Sequence, residues 1–432
     1  MIMCRFLLVS LNIDAILGGV TIGQRRKKLR EMVRGNGLSD AYTETLRRVK
    51  AQSGNKSVLG LKVLMWVLNS QRPLHPDDLC HALGVEIGSA DLDPESVPTL
   101  KILLSSCLSL VTVEASSSTV RLVHFTLQEH LSTDPTLFHC PHSAIAEVCL
   151  TYLNFRYVRD LSPDVDCAPS AIPFLDYASC HWGEHARREM TENIKVLALR
   201  LLDRFDEHIS ATLLLLNYTS DSIWKRDLSD KCGKGNFTGL HGAALFGIVE
   251  IFAVVLEMKE WDINAGDCLG STALTLAAER GHEGIVNILL GREDINPDQA
   301  GINPGLTPLI WVADHGHEEV IKLLLEREGV DLNAVDGQFG CTALSWAADN
   351  GRVGVVKIFL EREDVDPNEE LPESGPTLLF WAAMEGYEGV IKVLLERKDL
   401  NPNVVDWEFD GTLLDCAVSK QNEEVLKMLL KR

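Results

Sequence analysis

The chain has 432 residues, 46% hydrophobic and 24% charged, which excludes disorder throughout and suggests about two to four domains. Lys+Arg total 41 against 62 Asp+Glu, a net charge of −21. That balance excludes a general nucleic-acid binder, because phosphate affinity needs clustered positive charge. The charge is uneven: +6 over residues 1–50, −8 over 51–231 and −19 over 232–432.

The first residues, Met1 to Leu17, resemble a signal peptide only loosely, since Asn12 and Asp14 interrupt the apolar run. Leu8, Leu11 and Ala15 fit a helix face better. Residues 1–50 read as two helices broken at Gly35-Asn36-Gly37, and the run Arg25-Arg26-Lys27-Lys28 reads as a solvated helix face rather than a nuclear signal. Next come an apolar helix from Val58, a second opened by Pro76-Asp77-Asp78 and a third over Val97 to Leu108. Two short β-rich runs follow, Ser109 to Val113 and Thr119 to Phe125, joined by Glu114 to Ser118. Three helices and a hairpin are the winged-helix plan, placed at 53–135, with a helical connector over 136–229. Its third helix carries only Lys101 as a basic residue, which argues for a protein-facing role rather than DNA binding.

From residue 230 a repeat takes over. Thr272-Ala-Leu-Thr-Leu-Ala-Ala-Glu-Arg-Gly-His-Glu-Gly-Ile-Val returns from Thr307, Thr342, Thr377 and, degraded, Thr412, with a weaker first copy from Thr238. The spacings are 34, 35, 35, 35 and 35 residues. Thr opens a short helix, a small pair (Ala277-Ala278, Ala347-Ala348, Ala382-Ala383) lets helices approach, and a glycine (Gly281, Gly316, Gly351, Gly386) ends the helix before a second apolar one. One such unit cannot bury its own apolar face, so the copies must stack. In the last copy Gln421 replaces the turn glycine and Lys431-Arg432 follow, reading as a polar cap or a chain cut short.

The T-P-L-H-x-A-A theme, the glycine turn and the V-x-x-L-L ending resemble ankyrin repeats, over about residues 230–432. The resemblance implies stacked L-shaped units with protruding fingers and a concave groove. The theme's histidine survives only at His241, so apolar packing is expected to join most neighbours. In such relatives the residues just past the Ala pair face the groove: Glu279, Arg280, Asp314, His315, Asp349, Asn350, Met384 and Glu385. Their acidic balance predicts a protein partner with a basic surface. The column before the pair holds Trp311, Trp346 and Trp381, either an aromatic ladder for the partner or inter-helix packing.

A second resemblance covers the first half. Val123-His-Phe-Thr-Leu-Gln-Glu-His-Leu, Ala146-Glu-Val-Cys-Leu-Thr-Tyr-Leu and Phe174-Leu-Asp-Tyr-Ala-Ser-Cys-His-Trp-Gly-Glu-His-Ala look like fungal NACHT–ankyrin proteins. Phe6 to Leu17 resembles the end of a NACHT domain, making residues 1–52 a helical remnant of one. No G-x-x-x-x-G-K-[ST] occurs; Gly54-Asn55-Lys56-Ser57 lacks the upstream glycine and the Gly-Lys step. ATPase activity is therefore not carried over, no cofactor is expected, and His124, placed like a nucleotide-sensing histidine of related ATPases, reads as packed or surface.

His181-Trp-Gly-Glu184-His185 matches an H-x-x-E-H zinc pattern, and His139-Cys-Pro-His142 is a weaker metal candidate. There are eleven cysteines and no C-x-x-C; most, such as Cys107 and Cys149, sit in apolar runs and read as buried reduced thiols in an intracellular, cytoplasmic setting. No membrane span is predicted. The sequence thus predicts a mainly α fold and a non-enzymatic interaction scaffold in a signalling or self/non-self recognition system. The alternatives are the regulatory half of a NACHT ATPase, or a zinc hydrolase.

Overall fold

The computed structural model describes residues 21–24, 38–162, 172–220, 236–301, 305–368, 377–401, 405–406, 411–419 and 423–430. The expected first helix around Leu8 and the Arg25–Lys28 run lie outside them. The chain divides into two compact units, residues 1–201 with 208–214, and residues 202–207 with 215–432.

In the first unit, α1 (Leu38–Lys50), α2 (Lys56–Asn69), α3 (Pro76–Gly84) and α4 (Leu100–Ser106) precede the antiparallel strands β1 (Val111–Glu114) and β2 (Thr119–Leu122). Val111 pairs with Leu122 and Glu114 with Thr119, and Leu74 bridges to Val120. This is the winged-helix plan with two differences from expectation. The third helix starts later, because Pro98 holds Val97 extended and Thr99 takes the position before the helix. Phe125 does not extend β2 but opens α5 (Phe125–Ser132). Helix α1 is part of this packing: it buries Tyr42, Leu46 and Val49, and Tyr42 Oη lies 2.8 Å from Thr126 Oγ1 of α5.

Then follow α6 (Pro141–Leu153), α7 (Arg156–Arg159), α8 (Leu175–Arg188), α9 (Glu192–Leu202) and α10 (Ile209–Ser220). The unit division falls near the end of α9 and within α10. Helices α6 and α8 pack along each other. Their core is aromatic: Phe174 meets Trp66 and Tyr152 edge-on at 5.6 and 5.2 Å and stacks on Tyr177.

The second unit is the repeat array. Its helix pairs are α11 (Gly239–Phe246) with α12 (Val249–Met258), α13 (Ala273–Glu279) with α14 (Glu283–Leu290), and α15 (Pro308–His315) with α16 (Glu318–Glu326). They continue with α17 (Ala343–Asp349) and α18 (Val353–Leu360), then α19 (Leu378–Glu385) and α20 (Glu388–Glu396). After the short strands β3 (Val405–Asp406) and β4 (Gly411–Thr412) come α21 (Leu413–Ser419) and α22 (Glu423–Leu430). First helices stack on first helices and second on second.

The degraded first copy has a physical cause. A Cβ on Gly239 would lie 2.0 Å from the Leu202 carbonyl oxygen, and one on Gly242 2.8 Å from the Phe205 ring. The segment 202–207 covers this end of the array, so glycine stands where later copies carry larger side chains.

Among the described cysteines, Cys80, Cys107, Cys149 and Cys180 are buried free thiols. Burial pushes the Cys107 thiol up to about 12. Cys268 departs from the reduced reading, being disulfide-bonded. No described helix is long and apolar enough to cross a membrane.

Candidate functional site

The first helices of the repeats follow a threonine, and in three copies its side chain holds the first turn. Thr272, Thr307 and Thr342 accept from the backbone N–H three residues on, at 3.2 to 3.3 Å. In the first copy His241 Nδ1 accepts from Thr238 N–H at 3.2 Å, and its Nε2–H donates 3.0 Å to the Ala265 carbonyl in the following finger. Burial pushes this imidazole down to about 4, so it is neutral, and the two bonds fix its tautomer.

Where the histidine is lost, packing does not substitute alone, contrary to expectation. A second polar column joins neighbours at the residue after the turn glycine. His282 Nε2–H donates to the Leu245 carbonyl at 3.1 Å, His317 Nε2–H to Glu279 at 2.9 Å and Arg352 Nε–H to Asp314 at 2.8 Å. Each acceptor lies near the end of the preceding copy's first helix, where carbonyls lack helical partners. The turn glycines make room for these side chains. Gly247, Gly281, Gly316 and Gly351 all have positive φ. A Cβ on them would lie 2.4 Å from the His282 ring, 2.7 Å from His317, 3.0 Å from Arg352 and 3.0 Å from Tyr387. The fingers add a further ladder: Asn264 donates to the Asp294 carbonyl and accepts from Asn296 N–H, and Asn368 does the same toward Asp399 and Asn401. Sequence reasoning missed both sets, although His, His, Arg and Tyr recur directly after the glycine and an Asp-x-Asn step recurs in the fingers.

The expected groove residues divide into two groups. Glu279 does not face an open groove: it is buried and accepts from the Tyr218 hydroxyl. Arg280 is exposed, with its guanidinium carbon 5.3 Å from the Tyr218 ring centroid. Asp314 is half-buried and Asp349 exposed. Asn350 Nδ2–H reaches across one repeat to Asp314 Oδ1 at 2.8 Å. His315 is exposed, its Nδ1 3.0 Å from the Trp311 carbonyl oxygen and 3.3 Å from Asp314 Oδ2. Met384 is half-buried and Glu385 exposed.

Partial burial raises the Asp314 carboxyl above its ordinary value, opposed by His315 and Arg352 and reinforced by Glu279. Burial also raises Asp349, reinforced by Glu385 and Asp314. Asp349 thus feels like charge from the repeats on either side, whereas Asp314 lies beside the cations His315 and Arg352 as well. Trp311 is 8% exposed, which places it in the packing rather than on an open ladder. Trp346 and Trp381 are half-buried, and Trp346 Nε1–H donates to Asp336 at the base of its finger.

The H-x-x-E-H string lies on α8, but its histidines serve a different network. Arg188, which can only donate, faces His142 Nε2 at 3.3 Å; His142 Nδ1 lies 2.8 Å from His185 Nδ1; His185 Nε2 lies 2.9 Å from Tyr177 Oη, which accepts from Gln71 N–H. The consistent direction runs from Arg188 through Nδ1–H of His142 and Nε2–H of His185 to Tyr177. Burial pushes His185 down to about 3 and His181 to about 4, and lowers His142. Both ring nitrogens of His185 are therefore engaged, and no cluster of three metal-ligating side chains occurs among the described residues. His139 and Cys140 join no such cluster either. His124 precedes α5, where its Nδ1 accepts from Thr126 N–H at 3.3 Å.

Comparison with known proteins agrees with both halves. Ankyrin repeats match residues 206–300, 294–370 and 379–430. The winged helix domain of GPI inositol-deacylase matches residues 47–141. Among curated proteins none matches the chain. Similar solved structures include an ankyrin repeat domain from Acinetobacter baumannii, 26% identical with a TM-score of 0.40, covering 44% of this chain and 96% of that one. A second ankyrin repeat protein is 23% identical with a TM-score of 0.40, at the same coverages. The chain therefore joins a winged-helix domain of the GPI inositol-deacylase type to an array of ankyrin repeats.

Proposed function

We propose that the array is a docking scaffold for a protein partner with a basic surface, and that its role is recognition rather than catalysis. Ankyrin repeats imply protein–protein interaction. The observation that carries the finer reading is the acidic column: burial raises the Asp349 carboxyl, and Glu385 and Asp314 on the flanking repeats raise it further. A cationic side chain seated there relieves that repulsion, and a surface of this sign steers a basic partner. Trp346 and Trp381 supply half-buried apolar area beside it, while Glu279 and Trp311 act through packing. The resemblance to fungal NACHT–ankyrin proteins supports an intracellular signalling or self/non-self recognition setting. Engagement of both His185 nitrogens leaves the zinc-hydrolase reading without support.

The test is affinity capture of partners on the full chain, then binding measured with Asp314→Asn, Asp349→Asn and Glu385→Gln combined. Binding should fall and lose most of its salt dependence. Unchanged affinity and salt dependence would refute the groove as the docking site.

A further inference from the structure

The end of α2 and the wing enclose a cavity of about 470 Å³ in the first unit. Its walls come from residues 67–74 and 120–128, which are joined where Val120 N–H donates to the Leu74 carbonyl at 2.8 Å. Leu74 and Val120 are each 2% exposed, while Phe125 on the same lining is 66% exposed. A pocket of this size takes a small organic molecule.

The lining is rich in donors and free of acids. Gln71, Arg72, Arg121 and Gln128 bring N–H groups, and no Asp or Glu among the described residues takes part, in a chain that has 62 of them. Gln71 Nε2 is buried without a hydrogen-bond partner among the described residues, which is unfavourable until an acceptor arrives. Both arginines are anchored from outside the cavity. Arg72 donates from Nη2 to Asp176 at 2.7 Å, its guanidinium 5.5 Å from the Tyr177 ring centroid. Arg121 donates from Nε to Thr119 Oγ1 at 3.2 Å, and its Nη1 lies 3.1 Å from Glu114. A guanidinium has five N–H groups, so each arginine keeps donors beyond these bonds, already held in place. The anchoring carboxylates, with Asp78 3.6 Å from Arg72, offset the arginines' charge. That balance suits a singly charged, planar acceptor and repels a phosphate dianion.

We propose that this cavity binds a small organic monocarboxylate with an apolar body. The carboxylate accepts from the Gln71 amide and the flanking arginines, and the body packs on Leu122 and covers Phe125. The site is independent of the docking groove, since its whole lining lies in the first unit.

Isothermal titration of the full chain with phenylbutyrate tests this, with phenylbutyramide as the neutral counterpart and inorganic phosphate as the other anion. The expected result is saturable, one-to-one binding of phenylbutyrate, with the amide and phosphate each weaker by about tenfold or more. Arg121→Met, at an exposed wing position, and Gln71→Met should each weaken phenylbutyrate by about fivefold or more, whereas Lys101→Met, off the cavity, should leave it unchanged. If Gln71→Met unfolds the first unit by circular dichroism, Arg121→Met decides. Absence of saturable binding up to about 10 mM overturns the proposal. So does equal uptake of the amide, displacement of phenylbutyrate by phosphate, or binding indifferent to Arg121→Met.

Discussion

Gly247→Ala tests whether the turn glycines serve the joint between neighbours as well as the turn. Gly247 sits at φ +72, where a residue with a Cβ is strained by roughly 1–2 kcal/mol. Reduced freedom of the unfolded chain returns about 0.4–1 kcal/mol of this. The new methyl would lie 2.4–2.5 Å from three atoms of the His282 ring, so the imidazole must move. Its bond to the Leu245 carbonyl then breaks, costing about 0.5–1.5 kcal/mol net. The total is a loss of about 1–3 kcal/mol. His282→Ala alone loses the bond but no backbone freedom. In the double variant there is no ring left to displace, so the two costs must overlap. Urea unfolding, with amide exchange over α11 and α14, measures each corner of the cycle. A double-variant cost equal to the sum of the singles within about 0.5 kcal/mol refutes the shared joint.

Acid should loosen both units separately. His208 in the first unit and His241 in the second are buried and pushed down to about 4, while in the unfolded chain each takes its ordinary value near 6.5. The stability they allow is present above pH 6.5 and is lost as pH falls toward 4, about 2 kcal/mol per histidine by pH 5. Denaturant midpoints at pH 7.5 and 5 check this, and a midpoint that rises on acidification contradicts it. Tyr218→Phe removes a hydroxyl that donates to the buried Glu279 carboxylate and should cost about 1.5–3 kcal/mol in unfolding experiments. His185→Phe should destabilise the first unit and leave its zinc content unchanged by metal analysis; loss of bound zinc would restore the metal reading.

The array was legible because its period, Ala pairs and glycines repeat in one dimension, and stacking is the one way such units bury their apolar faces. The hairpin was legible from its β-rich runs, with an error of a few residues where His124 ends the strand region by capping a helix. Glu279 departs from the groove-facing expectation, while Trp311 takes the packing alternative. The Glu279 position belongs to the groove-facing column, but Tyr218 covers it. Tyr218 stands outside the periodic segment, so nothing in the repeat announces it. The tie between His142 and His185 was equally hidden, since 43 residues separate them and only the pairing of α6 with α8 brings them together.

The carbonyls that accept from His317 and Arg352 belong to Glu279 and Asp314, residues of the acidic column itself. The copies that begin at Thr307 and Thr342 therefore grip their predecessors by the backbone of a column residue. At these two joints the column residue is held through its main-chain carbonyl, which leaves its carboxylate spaced by the backbone. On the proposed docking role the scaffold would act as a ruler: a partner whose cations follow the repeat spacing would match it, and one with equal charge at another spacing would not.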